Sequence, residues 1–296
     1  MKTCVFSLLF VCLGLSLPAS AAAQQRSAAE RTARIHVTAV DSKGAPVTDL
    51  MVKDLAIRED GVAREVLSVA PATDAAEVML LIDDSQAASP SIAHLRDALA
   101  KFVTRLQGKA KIGIVTIGER PTSVVEYTDD TARLQKGVTR IFARPGSGAY
   151  LLDGIREAAR GMQKRETDAR RVIIALTTEG VEFSNLQYER VLEDLHAAGA
   201  TLHALAIGTP AASTTDEMRN RNLVLSQGTE QTGGRRDQLL SPMAIADRLD
   251  QIAGEILNTY VVTYGRPDTL IPPETIKVAS TREGVTVRAR TKTLPK

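Results

Sequence analysis

Val78-Met79-Leu80-Leu81-Ile82 runs without a polar break straight into Asp83-Asp84-Ser85-Gln86-Ala87. A strand that is apolar at every position is buried on both faces, and such strands belong to parallel sheets covered by helices. Val172 to Leu176 has the same character, as do Ile112 to Ile117 and Leu202 to Ile207, less strictly. The segments between them have helical spacing. Ile92, Leu95, Leu99, Phe102, Val103 and Leu106 fall on one face. Ser89-Pro90 ahead of that stripe reads as a cap and a first-turn proline, and Gly108 as the stop. Ile245, Leu249, Ile252, Ile256 and Leu257 make a second stripe before the strand-like Tyr260 to Tyr264. This alternation predicts a doubly wound α/β domain over residues 74–264, with a mostly parallel sheet and helices on both faces. Ligands of such sheets sit at the carboxyl ends of the strands. That rule points to the residues after Ile82, to Arg144–Tyr150 and to Thr178–Gly180.

The flanks have another period. Within residues 33–70, Ile35, Val37 and Ala39 alternate with polar neighbours, and Asp41-Ser42-Lys43-Gly44 is turn chemistry. Leu55 and Ile57 lead into Glu59-Asp60-Gly61 and then Val62 to Val69, and Asp-Gly between strand-like runs signals a hairpin. Residues 265–293 repeat the style, with Ile276 and Val278, a turn at Arg282-Glu283-Gly284, then Val285, Val287 and Ala289. Neither end can bury its apolar face alone. The two are expected to pack as one small β module, with the α/β domain inserted between them.

The start, Met1-Lys2-Thr3, the apolar run Val5 to Leu17 and the small residues up to Ala23 read as a signal peptide over residues 1–23. The run is shorter than the ~20 residues a spanning helix needs, and Pro18 ends it. Export to the periplasm or beyond is therefore expected, with no membrane span in the mature chain. Both cysteines, Cys4 and Cys12, fall inside the run, so the mature chain would have no disulfide. The 296 residues carry 37 Lys plus Arg against 35 Asp plus Glu, a balance that argues against a nucleic-acid partner. Aromatic residues are 3% of the chain and Trp is absent, which argues against a stacking surface.

The three loops resemble those of the von Willebrand factor type A domain. Members of that family carry a metal-ion-dependent adhesion site built from a D-x-S-x-S loop, a threonine in a second loop and an aspartate in a third. Here the first loop is Asp83-Asp84-Ser85-Gln86-Ala87, the second Gly146-Ser147-Gly148-Ala149-Tyr150-Leu151-Leu152-Asp153, and the third Thr177-Thr178-Glu179-Gly180. The flanks narrow the resemblance to exported bacterial proteins of the VWFA-related, acidobacterial type. They include Val37 to Leu50, Arg58-Glu59-Asp60-Gly61, Thr232-Gly233-Gly234-Arg235, Tyr260 to Tyr264 and Val287 to Arg290.

The resemblance implies a Mg²⁺ or Mn²⁺ site at Asp83, Ser85 and Glu179. The residues depart from it. Ala87 and Ala149 put methyl groups where hydroxyl ligands belong, and Glu179 is one methylene longer than aspartate. Mg²⁺ demands near-octahedral oxygen geometry at ~2.0–2.1 Å, so a degenerate site with no bound cofactor is expected. Asp83, Ser85 and Glu179 would then serve backbone donors at strand ends and helix starts. In the competing reading, Asp84, Ser89 or Ser147 supplies the lost oxygens and a cation is kept.

Other chemistry is poorly supported. Gly146-Ser147-Gly148 lacks the third glycine of a dinucleotide loop and the flanks of a nucleophile elbow. His36, His94, His196 and His203 show no zinc spacing, and His203 reads as a hydrogen-bonded core residue. Asp83 and Asp84, adjacent at a strand end, point to opposite sides and cannot share a proton as a dyad. Arg170-Arg171 and Arg235-Arg236 read as solvated element ends, and Thr209 to Asn222 as a mobile rim loop. The expectation is a non-catalytic module that binds a protein through Asp84, Ser147, Ala149 and Tyr150, with a periplasmic hydrolase using Asp83 or Glu179 as the less favoured alternative. Tyr150 is either a rim anchor or packed under its own loop.

Overall fold

The computed structural model describes residues 32–210, 212, 215–267 and 272–293. The expected signal peptide, residues 1–23, lies outside the described residues. The N-terminal part forms β1 (Thr32–Val40), β2 (Leu55–Glu59), β3 (Val62–Arg64) and β4 (Val66–Pro71). Asp60 (φ 45°) and Gly61 (φ 82°) both take the left-handed conformation between β2 and β3, as a two-residue hairpin turn needs. Val62 to Val69 is not one strand. It breaks at Glu65, so that β3 pairs with β2 while β4 joins a different sheet.

The middle of the chain builds a six-stranded sheet from β5 (Ala76–Ile82), β6 (Ala110–Thr116), β7 (Thr122–Thr128), β8 (Arg170–Thr178), β9 (Thr201–Ile207) and β10 (Arg236–Leu239). Its order is β10-β9-β8-β5-β6-β7, parallel throughout except for the antiparallel edge strand β7. Among the described residues the helices of two turns or more around it are α1 (Ile92–Arg105), α2 (Thr131–Val138), α3 (Leu151–Gln163), α4 (Tyr188–Ala198), α5 (Asp216–Leu223) and α6 (Ile245–Leu257).

Side chains of β5 divide between the two faces, as a strand's alternation requires. Val78, Leu80 and Ile82 pack with Leu95 and Leu99 of α1, Leu134 of α2 and Ile252 of α6. Met79 and Leu81 pack with Ile155 of α3, Leu192 of α4 and Val224 beyond α5. Each such fully buried aliphatic side chain contributes roughly 1.5–3 kcal/mol, so these two layers hold the α/β domain.

Several local expectations shift. Ser89-Pro90 lies in a 3-10 turn, Gln86–Ser91, ahead of α1, and the helix ends at Arg105 with Gly108 (φ 69°) closing the turn beyond it. Half of the segment expected to be a loop after β9 is helical: Thr215 caps α5 by accepting the Met218 N–H at 3.3 Å. A π turn, Val224–Gly228, then leads into Thr229–Thr232.

The main correction concerns β11 (Tyr260–Gly265), expected as part of the α/β domain. It pairs antiparallel with β1 (His36 opposite Val261) and with β4 (Val69 opposite Val262), outside the parallel sheet. The physical reason is its burial period: Tyr260, Val262 and Tyr264 are buried, whereas the residues between them are half-exposed. The α/β domain therefore ends with α6.

β12 (Ile276–Ser280) pairs with β2, and β13 (Thr286–Arg288) with β1. The two ends thus form one module of two sheets, β13-β1-β11-β4 and β12-β2-β3. Ile35, Val37, Leu55, Ile57, Val262 and Ile276 form its core. Two buried tyrosines fasten it: the Tyr260 hydroxyl donates to Val47 O (3.0 Å), and that of Tyr264 to the buried carboxylate of Glu59 (2.7 Å).

Candidate functional site

Asp83 follows β5 directly and is fully buried. One carboxylate oxygen accepts the Ser85 N–H (2.9 Å), and the other accepts the Thr178 N–H (2.9 Å) and hydroxyl (2.5 Å) at the end of β8. Asp83 therefore ties together the ends of two neighbouring strands. Asp84 turns the other way. Its Oδ1 accepts the Gly118 N–H (2.6 Å) and its Oδ2 the Arg144 Nε–H (2.8 Å), while its carbonyl accepts the Arg144 N–H (2.8 Å). The two carboxylates diverge, each with its own donors. Ser85 is buried, and its side chain caps nothing in the turn it opens.

The second loop is held from both sides. Gln86 Oε1 accepts the Gly146 N–H (2.6 Å), and the Ser147 hydroxyl donates to Arg144 O (2.9 Å). Ala149 is buried and bridges to Gly118 and to Glu182. Tyr150 is half-buried, and its ring stacks on that of Phe183, centroids 5.9 Å apart and planes 26° apart. An edge of the Phe183 ring also lies against Gly148, in the space a Cβ there would need. Phe183 is nevertheless 51% exposed and Val181 56%.

In the third loop Glu179 serves no backbone donor among the described residues. It meets Arg221 of α5 (Oε2 to Nη1, 3.3 Å), whose other nitrogen donates to Thr178 O (3.1 Å). Arg221 is 1% exposed, so the site already contains a buried cation. Further along, Glu182 Oε1 accepts the Leu151 N–H (3.1 Å) and the Ser184 N–H (3.0 Å), and the Ser184 hydroxyl accepts the Asp153 N–H (3.1 Å). α3 has no side-chain cap of its own, and this loop supplies one. Burial pushes the Glu182 carboxyl up to about 7, against the pull of its Ser184 bonds and of Arg221.

Arg221, Glu182 and Phe183 are site residues that sequence reasoning missed, and Arg144, inside the stretch the strand-end rule pointed to, was given no role. The signal for α5 was present, since Thr215 followed by Asp216 and Glu217 is a helix start. No apolar stripe follows it, so the helix and its Arg221 went unread.

These residues do not match the donor set of the family's cation. Both Asp83 oxygens are occupied by protein donors, methyl groups stand at positions 87 and 149, and Glu179 faces a guanidinium. Among the described residues no group of three or more His, Cys, Asp or Glu is placed to hold a metal ion.

The family model of the von Willebrand factor type A domain matches residues 78–180, from β5 through the third loop. No protein of curated function matches the chain in sequence. Among solved structures the chain is similar to a von Willebrand factor type A protein from Catenulispora acidiphila, with TM-score 0.51 and 13% identity over 88% of this chain and 73% of that one. It is also similar to the pilus adhesin SpaC from Lactobacillus rhamnosus GG in its open conformation, with TM-score 0.50 and 12% identity over 81% of this chain and 41% of the adhesin. Proximal thread matrix protein 1 from the mussel byssus follows at TM-score 0.49 and 16% identity, over 62% of this chain and 49% of that one. The chain spans half or less of the latter two proteins. At these identities the likeness is one of fold. The family model on the strand and loops described above, and the α/β fold shared with the Catenulispora protein, together show a von Willebrand factor type A-like region at residues 78–180.

Proposed function

We propose that this protein is an exported, non-catalytic interaction module that binds a protein partner through the rim around Asp84, Ser147, Ala149, Tyr150 and Phe183, without a bound cation. The observation that carries this reading is the internal pairing of the acidic groups. Asp83 is satisfied by Ser85 and Thr178, Asp84 by Gly118 and Arg144, and Glu179 by Arg221, so none is left to draw in a metal. What the rim offers instead is apolar: the Phe183 ring stacked on Tyr150, with Val181 beside it in sequence. Rigid aromatic side chains flanked by polar loops are the usual anchors of protein interfaces. The likeness to a pilus adhesin agrees with an interaction role, and the apolar run at Val5 to Leu17 supports export. No helix among the described residues is long and apolar enough to cross a membrane.

The test is capture of partners by the immobilised chain from extracts of its source organism, in EDTA and in millimolar Mn²⁺. The reading expects the same partner in both buffers and its loss with Phe183→Ser. Capture only in Mn²⁺, or capture untouched by Phe183→Ser, would refute it.

A further inference from the structure

A cavity of about 620 Å³ lies at the opposite end of the sheet from the rim, where the starts of β8 and β9 face β1 and the C-terminal strands. Its walls carry six arginines, Arg34, Arg170, Arg171, Arg266, Arg288 and Arg290, against two carboxylates, Asp168 and Glu255. Three of these arginines have acidic partners: Arg288 pairs with Glu255 (2.9 Å), Arg170 with Asp74 (3.3 Å) and Arg266 with Glu59 (3.2 Å).

The others differ. Arg171 donates to the carbonyls of Ala198 and Arg165 (both 2.9 Å), and Arg290 to that of Gly199 (2.9 Å). Among the described residues Arg290 meets no carboxylate, whereas Arg171 stands opposite Glu77 across β5 and β8, a carboxylate already bonded by Arg165. Arg290 is deeply set, and burial pushes its pKa down. Buried charges are ordinarily paired, so a half-buried guanidinium that meets only carbonyls is an unmet demand for an anion.

Two more polar groups in the same wall are unsatisfied. His203, 3% exposed, has no partner for Nδ1, and the hydroxyl of Thr38 has none either. The expectation of a hydrogen-bonded core histidine is therefore not met on that nitrogen. Burial, with Arg288 and Arg235 nearby, lowers the His203 pKa to about 3, so the ring is neutral and its Nδ1 can donate or accept according to tautomer. An orphaned buried polar atom costs ~1–3 kcal/mol, and a folded wall with two of them beside the uncompensated Arg290 is a built polar site.

We infer that this inter-module cavity binds a small organic oxyanion, a carboxylate or a phosphate ester. Arg171 and Arg290 take the anionic group, and His203 and Thr38 bond to its oxygens or hydroxyls. The volume falls within the ~300–1,000 Å³ of small-molecule sites. Because Arg171 belongs to the α/β sheet and Arg290 to the C-terminal segment, the bound anion bridges the two modules. This site is independent of the rim and of the protein partner proposed for it.

The test is calorimetric titration of the purified chain with citrate and with glycerol 3-phosphate, at ionic strength matched with NaCl and with glycerol as the uncharged control. Saturable binding of one probe is expected, and the probe that binds names the anionic group. Arg290→Gln and Arg171→Gln each weaken it at least tenfold, while Lys101→Gln on the exposed face of α1 leaves it unchanged. Binding also shifts the ring resonances of His203, a readout that general salt effects on stability do not reproduce. Should Arg290→Gln fail to fold, the exposed Arg34→Gln is expected to weaken binding several-fold. Heats no larger than those of NaCl for both probes, or equal affinity in the arginine variants, would overturn the inference.

Discussion

Asp83 and Glu182 are both buried carboxyls beside the rim, and their surroundings separate them. Asp83 accepts three hydrogen bonds across β5 and β8. Its loss in Asp83→Ala strands two buried N–H groups, at ~1–3 kcal/mol each. We expect Asp83→Ala to lose about 3 kcal/mol in urea unfolding, equally in EDTA and in Mn²⁺. Glu182 is held well above the ordinary carboxylate range, at about 7, because burial outweighs its hydrogen bonds. For a carboxyl raised in this way the native state keeps a proton that the unfolded chain gives up. Its stabilising effect is complete below about pH 4.5 and is lost as pH rises to about 7. Two to three pKa units correspond to on the order of 3 kcal/mol. Unfolding free energies of the wild type and of Glu182→Gln, measured from pH 4.5 to 8, should therefore diverge by about that amount, with the variant gaining. Parallel curves would refute the assignment.

Among the elements, the loop after β8 does the most positioning: Glu182 and Ser184 cap α3, while Phe183 between them lies on Gly148. A methyl group at position 148 cannot coexist with the ring as placed, and the ring is the far end of a flexible side chain. Gly148→Ala should therefore swing Phe183 off Tyr150 at little cost in stability, about 1 kcal/mol or less, while abolishing partner capture. Unchanged capture would remove Phe183 from the interface. The inner strands of the sheet were legible because Val78–Ile82 and Val172–Leu176 are apolar at every position, a pattern few other structures produce. The edge strands β7 and β10 were not, since Thr122–Thr128 mixes polar and apolar positions and is largely half-buried, while Arg236–Leu239 is short and polar. Of Arg170-Arg171 and Arg235-Arg236, read as solvated ends where β8 and β10 begin, Arg236 is exposed, but Arg170, Arg171 and Arg235 are half-buried at the junction with the β module. There Arg170 donates to Ile256 O and Thr259, and Arg235 meets Glu255 at 3.0 Å. Sequence shows a charge but not the buried partner that makes it structural.

At the scale of the molecule, Glu255 is the joint. It lies on α6, is 1% exposed, and holds Arg235 from the sheet side and Arg288 from β13. Glu255→Ala leaves Arg288 without its acid in a buried junction and Arg235 with Asp237 alone (2.6 Å), a change worth roughly 3–5 kcal/mol. We expect a matching fall in the unfolding midpoint and faster proteolysis of the 266–293 segment; an unchanged midpoint would show the joint to be dispensable. The pairing of β1 with β13 and of β2 with β12 could be suspected from two half-apolar ends, but no local pattern names a partner more than 200 residues away. The same holds for the site. The substitutions at positions 87, 149 and 179 could be read along the chain, whereas Arg144 and Arg221, which answer the remaining carboxylates, come from elements distant in sequence. The account turns on that internal answer replacing a metal. Its most direct test is the thermal unfolding midpoint of the purified chain in EDTA and across a Mg²⁺ and Mn²⁺ titration, beside Asp83→Ala. A cation at ~1,000 times its Kd would add roughly 4 kcal/mol and raise the midpoint by about 8–16 °C. We predict no saturable rise in either protein. A saturable rise in the wild type that Asp83→Ala abolishes would contradict the account.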